Sequence, residues 1–135
     1  MAFYFKEVSV DGEKVLLVED DEFQRSYYSQ ELERDGYHVS WARDGWEAIS
    51  SIEDKHPDAV VLDIVMPGMD GIETLSKIKA RHPKLPVVLH SSYSSFQNNF
   101  LCWIADAFIT KSPDAASLKQ AIRRLLSKSG SHKSF

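Results

Sequence analysis

The sequence predicts an α/β domain built on a parallel β-sheet, and two observations support this fold class. Short apolar runs alternate with longer amphipathic segments along the 135 residues, giving five strand-helix units. Four of the apolar runs stop at reactive side chains, namely Glu19-Asp20-Asp21, Asp63, Ser91 and Lys111. Because parallel strands end at the same edge of a sheet, we expect these side chains to converge on one functional site.

The predicted strands lie at 15–18, 37–41, 59–62, 87–90 and 107–110. Each is a short apolar or alternating run of the kind that forms buried strands. His90, at the end of the fourth run, is expected to be a partly buried histidine that points away from Ser91, since neighbouring strand residues face opposite sides.

The first two predicted helices carry capping signals. The first follows the acidic cluster, which can cap it, and stops at Asp35-Gly36, where glycine suits a left-handed cap. Its expected apolar face consists of Phe23, Tyr27, Tyr28 and Leu32. The second begins at Asp44 with Glu47 three residues later, a capping box, and its apolar stripe is Ala48, Ile49 and Ile52.

Three further helices are expected in the second half of the chain. The third carries Ile72, Leu75 and Ile78 and ends before Pro83. The fourth, over residues 94–104, is less regular and contains Phe96, Phe100, Leu101, Trp103 and Ile104. The fifth has Ser112 as its N-cap and Pro113 as its first residue, and it frays from Ser127 onward.

One domain is expected for the whole chain, 1–135, with a core at about 14–127 and a flexible tail at 128–135. Residues 1–13 resemble a strand followed by a turn. An added edge strand, a packed arm and a dimer contact all remain open for this extension.

Composition excludes several classes of protein. The net charge is −4 and the sixteen basic residues are dispersed, so no nucleic-acid-binding stripe is predicted. Cys102 is the single cysteine, which excludes an intrachain disulfide and favours a reducing compartment. No stretch has the length or apolarity of a membrane span or a signal peptide. We expect a soluble cytoplasmic protein.

Each acidic residue of the predicted site, taken alone, could simply cap a helix. Several carboxylates at neighbouring strand ends repel one another, however, and a cation such as Mg²⁺ would neutralise them. Mg²⁺ that is bound by one or two carboxylates usually has phosphate oxygens among its other ligands. Asp63 could then accept a phosphoryl group, with Lys111 and Ser91 stabilising its oxygens.

Four segments in order resemble the receiver domains of response regulators in two-component signalling, over roughly residues 14–127. The matching segments are 15–21, 61–71, 85–92 and 108–111. The resemblance implies the flavodoxin-like, doubly wound fold, with five parallel strands in the order 2-1-3-4-5 and five helices.

The resemblance also implies a role for each site residue. Asp63 would be the phosphoacceptor, and Lys111 would pair with the phosphoryl group. Ser91 would be the switch hydroxyl and Phe108 the switch aromatic. Mg²⁺ would be bound by Glu19, Asp20, Asp63 and the backbone carbonyl of Val65.

Two positions depart from the family pattern. Phe108 stands where tyrosine is common, so no hydroxyl is present there to signal through a hydrogen bond. Ser112 follows Lys111 where the family commonly has a cis proline. A cis bond before a residue other than proline costs about 3 kcal/mol, so we expect a trans bond and an altered loop.

The leading interpretation is a stand-alone receiver phosphorylated by a histidine kinase or a histidine phosphotransfer protein. It would contact a downstream protein through the face near the fourth helix and fifth strand, with a homodimer possible and no direct binding to nucleic acid or membrane. Beyond its own phosphorylation and dephosphorylation, no enzymatic activity is expected.

Three alternatives stay open. One is a relay intermediate that passes the phosphoryl group on. Another is a phosphatase with an aspartate nucleophile, although Val65 stands where such enzymes need a second acid. A flavodoxin-like cofactor binder is disfavoured, because the loop after the first strand is acidic and would repel phosphate in the absence of a metal ion.

Overall fold

The computed structural model of the chain describes residues 12–93 and 100–133, so residues 1–11, on which most of the predicted N-terminal extension falls, lie outside it. Its sheet has five parallel strands in the order β2-β1-β3-β4-β5, which confirms the expected topology. The strands are β1 (Lys14–Val18), β2 (His38–Ala42), β3 (Ala59–Leu62), β4 (Val87–Ser91) and β5 (Ala107–Thr110).

The described ranges also contain four α-helices and one 3₁₀ helix. The α-helices are α1 (Glu22–Arg34), α2 (Gly45–Lys55), α3 (Gly71–Arg81) and α4 (Ala116–Lys133). The 3₁₀ helix spans Phe100–Ile104 and takes up the second part of the predicted fourth helix. The first part of that prediction, residues 94–99, lies outside the described residues.

Strand side chains alternate between two apolar layers, as expected for a sheet covered on both faces. Leu16 and Val18 face a cluster built with α2 and α3, which includes Ala48, Ile52, Leu75 and Ile78. Val15 and Leu17 face the opposite cluster, built with α1 and α4, which includes Tyr28, Leu32, Leu118 and Ile122. Helices therefore pack on both sides of β1 and β3, whose buried ends carry the predicted site.

The predicted apolar face of α1 is only half right. Tyr28 and Leu32 are buried, whereas Tyr27 is partly exposed and Phe23 is 88% exposed. A helix turns about 100° per residue, so Phe23 lies about 140° around the axis from Tyr28 and faces away from the sheet.

The predicted start of the last helix is wrong. Ser112 does not cap it, because its hydroxyl donates to the carbonyl of Asp114 at 2.8 Å and forms a local turn instead. The Asp114 carboxylate accepts the N–H of Ala116, where α4 begins. The helix then continues to Lys133, past the point at which the sequence predicted fraying.

Other predicted helix ends are confirmed. Asp44 accepts the N–H of Glu47 at 2.9 Å, while the Glu47 carboxylate accepts the N–H of Arg43 at 2.8 Å. Asp21 caps α1 by accepting the N–H groups of Phe23 and Gln24. Gly36, after α1, has φ of 94°, a left-handed conformation that glycine adopts at little cost.

His90 is buried on β4, and its ring packs edge-on against Tyr28 of α1 with 4.7 Å between ring centroids. It faces the α1/α4 cluster, away from Ser91, as predicted from strand alternation. Burial, together with the positive charge of Lys111, lowers the pKa of His90 to about 3. The imidazole is therefore neutral in the folded protein at physiological pH.

This buried histidine predicts a loss of stability in mild acid. The unfolded chain protonates His90 near pH 6.5, whereas the folded chain does so only near pH 3. Its contribution is thus complete above pH 6.5 and declines as the pH falls towards 3, by at most about 1.4 kcal/mol per pH unit. Urea unfolding between pH 7 and pH 5, run on the wild type and on His90→Leu, measures it.

We expect His90→Leu to flatten the decline in the free energy of unfolding, while His56→Asn leaves it unchanged. His56 is exposed and has φ of 50°, which asparagine tolerates, so it is a matched control. Equal slopes for the wild type and His90→Leu would contradict the assignment of a neutral buried imidazole.

Candidate functional site

The reactive residues that follow β1, β3 and β5 are held by backbone hydrogen bonds continuing the sheet ladders. The N–H of Glu19 donates to Ala42, that of Asp63 to Val18, and that of Lys111 to Ser91, at 2.7–3.1 Å between N and O. The main chain at these positions is thereby fixed by the sheet itself. All of these residues lie at its carboxyl edge, as the sequence predicted.

Three carboxylates meet at this edge. One oxygen from each of Glu19, Asp20 and Asp63 lies within 4.8 Å of the others. Glu19 and Asp63 are buried, whereas Asp20 is exposed. Two of the three carboxylates are therefore shielded from water, and the third faces solvent.

Lys111 reaches into this group from the end of β5. Its Nζ donates to Glu19 Oε1 at 2.8 Å and to Asp63 Oδ2 at 3.4 Å, and it also donates to the side-chain carbonyl of Gln24. The lysine side chain is only 9% exposed. Its three N–H donors thus have three acceptors, of which Asp63 is the most distant.

The electrostatics of the site follow from this burial. Loss of hydration raises the pKa of Glu19 and of Asp63, and the mutual repulsion of the two carboxylates raises that of Glu19 further, while Lys111 opposes both shifts. Burial would lower the pKa of Lys111, but its hydrogen bond to Glu19 and its attraction to Asp63 leave that pKa raised overall. One ammonium faces three carboxyl groups, so the site favours a further cation.

The loop that precedes α3 is tightly folded and contacts the backbone at Asp63. The N–H of Gly71 donates to the carbonyl of Ile64 at 2.8 Å, which brings the start of α3 against the end of β3. A Cβ at Gly71 would collide with the backbone of Asp63 and Ile64, so the approach requires glycine. Val65 lies in this loop with a half-exposed side chain.

The two predicted switch residues lie on the neighbouring strands. Ser91 is fully buried at the end of β4, and its Oγ accepts the N–H of Tyr93 at 3.0 Å. Phe108 on β5 is partly buried, packs against the α2/α3 cluster and is paired in register with Leu89. The bond after Lys111 is trans, as predicted from Ser112.

Sequence reasoning missed two residues of α1 that contact the site. Gln24 binds Lys111, and the Arg25 guanidinium donates to the carbonyl of Glu19 at 3.1 Å while lying over the ring of Trp41. The available signal was their position in the first turn after the acidic cluster. A side-chain contact across 87 residues, as between Gln24 and Lys111, leaves no periodic pattern in a single sequence.

Known proteins with similar sequences and folds agree with this arrangement of strands and site residues. Residues 15–123 match the family described as the response regulator receiver domain. The chain is 31% identical over 124 residues to the probable transcriptional regulatory protein TcrX of Mycobacterium tuberculosis, covering 89% of this chain and 53% of TcrX. The chain thus spans about half the length of this curated relative.

Two solved structures from Thermotoga maritima are similar. The response regulator TrrA in complex with Mg²⁺-BeF is 30% identical with a TM-score of 0.82, covering 84% of this chain and 98% of that one. A structure of the histidine kinase ThkA in complex with TrrA contains a chain that is 31% identical with a TM-score of 0.80 and the same coverage.

Four findings support the same family assignment. They are the ordered motifs, the strand order, the edge carboxylates with their buried lysine, and the family match over most of the chain. In the described ranges, no helix is long and apolar enough to cross a membrane. The chain belongs to the receiver domains of the response regulators of two-component systems.

Proposed function

We propose that Asp63 accepts a phosphoryl group and that the modification changes a protein-interaction surface. The observation that carries the proposal is the meeting of a buried carboxylate, two further acids and a buried ammonium at one sheet edge. Lys111 Nζ lies 3.4 Å from Asp63 Oδ2, close enough to stabilise negative charge that develops on a group attached to Asp63.

The hydrogen bonds favour Asp63 over Glu19 as the acceptor. Both oxygens of Glu19 are engaged, Oε1 by Lys111 and Oε2 by the N–H of Asp21 at 3.2 Å. Lys111 binds Asp63 less closely than Glu19, at 3.4 Å against 2.8 Å, so the ammonium leaves an oxygen of Asp63 freer to attack phosphorus. A P–O bond then forms to Asp63 while the bond from phosphorus to the donor breaks, and the donor keeps that electron pair.

The new charge, about −1.5 to −2, would act on Lys111 and Ser91. The ammonium already points at Asp63, and the Ser91 hydroxyl can donate to a phosphoryl oxygen because its present bond uses it as an acceptor. Phe108 is paired in register with Leu89, two residues before Ser91, so movement at Ser91 would be passed to this ring. This is the switch we propose, and it uses no hydroxyl on the ring.

Mg²⁺ fits the donor set of the site. We propose that Glu19, Asp20, Asp63 and the backbone carbonyl of Val65 would hold it, because carboxylate and carbonyl oxygens are its preferred ligands. The similar response regulator TrrA was solved with Mg²⁺-BeF. When bound, Mg²⁺ would neutralise charge on the transferring oxygens.

The proposed phosphodonor is a histidine kinase or a histidine phosphotransfer protein. The structure of the kinase ThkA with the similar regulator TrrA supports this donor class. We propose no enzymatic activity beyond the chain's own phosphorylation and dephosphorylation. We also propose a cytoplasmic location, since the single cysteine, Cys102, is free and buried, as suits a reducing compartment.

The proposed output face lies beside β5. Trp103 is 75% exposed and Ile104 is nearly half exposed, and both lie in the 3₁₀ helix that leads into the strand of Phe108. Exposed apolar side chains of this size favour contact with another protein. We propose that a downstream protein, or a second copy of the chain, binds there.

Phosphorylation is tested by intact-mass measurement after incubation with acetyl phosphate and Mg²⁺. The wild type should gain the mass of one phosphoryl group, and Asp63→Asn should gain none because an amide is not a nucleophile for phosphorus. Asp44→Asn is the control: it keeps a good helix cap and should be modified like the wild type. An unmodified wild type would contradict the proposal.

Mg²⁺ binding is tested by titration calorimetry on the unphosphorylated protein. Asp20→Asn should weaken binding by roughly tenfold or more, because it removes one ligand charge from the site. The matched control is Asp21→Asn, which preserves the cap of α1 and should bind Mg²⁺ with nearly wild-type affinity. Equal losses in both variants would mean that Asp20 is not a specific ligand.

The output face is tested with Trp103→Ala. Since this side chain is largely exposed, the free energy of unfolding should change by less than about 0.5 kcal/mol. Sedimentation velocity of the phosphorylated protein should show self-association in the wild type and less in the variant. A phosphorylated wild type that stays monomeric would exclude the second copy as the occupant.

A further inference from the structure

Gln24 lies in the first turn of α1 and joins two parts of the site that the proposed mechanism uses separately. Its side-chain carbonyl accepts a hydrogen bond from Lys111 Nζ. Its side-chain NH₂ donates to Asp21 Oδ2 at 3.1 Å. The amide is therefore used on both sides, as acceptor and as donor, and its orientation is fixed by two charged partners.

These contacts close a ring of hydrogen bonds around the end of β1. Lys111 binds Glu19 Oε1, Glu19 Oε2 accepts the N–H of Asp21, and the Asp21 carboxylate accepts from the Gln24 amide. Gln24 then returns to Lys111. The backbone of Asp21 is itself fixed, because its side chain caps α1. Helix α1 is thus tied to the ammonium through side chains and not only through packing.

The ring determines where the third N–H of Lys111 points. An ammonium has three donors, and two of them are taken by Glu19 and Gln24. The remaining donor is directed at Asp63, whose Oδ2 lies 3.4 Å from Nζ. Without Gln24, a flexible four-carbon side chain would be held only by Glu19 and by the longer contact to Asp63, and it could turn its donors elsewhere.

We infer that Gln24 is a positioning residue for phosphoryl transfer, which holds Lys111 so that one N–H faces the oxygens arriving at Asp63. The inference rests on the proposed role of Asp63 as phosphoacceptor. The side chain of Gln24 forms its hydrogen bonds with Lys111 and Asp21, and not with Asp63. We expect its effect on the transfer to pass through Lys111, and this separates it from a residue that only stabilises α1.

The first test observes the unmodified protein and does not depend on phosphorylation. The ¹H–¹⁵N cross-peak of the Lys111 ammonium, assigned by its absence in Lys111→Met, should shift or broaden in Gln24→Met. Gln30→Met is the matched control, because Gln30 is on the same helix and its amide contacts Ser26 instead. A cross-peak that is identical in the wild type and Gln24→Met would overturn the inference.

The second test is a double-mutant cycle on the rate of phosphorylation by acetyl phosphate with Mg²⁺. Gln24→Met should slow the reaction roughly threefold to tenfold, the effect of losing one typical side-chain hydrogen bond. Gln24→Glu, which restores an acceptor, should recover part of the rate, and Gln30→Met should match the wild type. In the Lys111→Met background, Gln24→Met should cause no further loss.

The outcomes of the cycle separate the two proposals. A wild type that is not phosphorylated would refute the role of Asp63, and the cross-peak measurement would still decide whether Gln24 holds Lys111. A phosphorylated wild type with an equal rate in Gln24→Met would refute the positioning role alone. An equal loss with and without Lys111 would show that Gln24 acts on helix stability, which also overturns the inference.

Discussion

The ion pair between the buried Lys111 ammonium and the carboxylates of Glu19 and Asp63 is the interaction on which the site depends. Two buried acids cannot both remain charged side by side without a cation, and Lys111 is a cation that the fold supplies itself. Breaking a buried pair by removing one partner leaves an uncompensated charge, which is costly. The same interaction therefore holds the two carboxylates together at the sheet edge and would stabilise the further negative charge proposed at Asp63.

Sheet topology explains why these groups meet. The chain passes from β1 outward to β2 and then crosses to β3 on the other side of β1, so the strand order reverses between β1 and β3. Helix α1 packs on one face and α3 on the other, which opens a crevice above the two strand ends. Glu19 and Asp63 follow those two strands directly. Lys111 reaches them from β5, and this requires the long side chain that lysine has.

The strands and several helix ends could be predicted from the sequence, because they depend on burial and on local capping. Four apolar runs and one alternating segment predicted the five strands, and the residues at the ends of the apolar runs, including Asp63 and Lys111, lie at the carboxyl edge of the sheet as expected. Capping at Asp44 was likewise local, and it is confirmed. The predicted burial of Phe23 is wrong because apolar character alone does not define a helix face. The predicted N-cap at Ser112 is wrong because its hydroxyl donates to the carbonyl of Asp114. Gln24 was missed because its contact to Lys111 depends on how β5 and α1 are brought together.

The central claim is that Asp63, among several neighbouring acids, forms the acyl phosphate. Borohydride reduction after phosphoryl transfer converts an aspartyl phosphate to homoserine, and peptide sequencing by tandem mass spectrometry locates it. We predict homoserine at the position of Asp63, with Glu19, Asp20 and Asp21 unaltered. Reduction at Asp20 or Asp21, with Asp63 intact, would contradict the account.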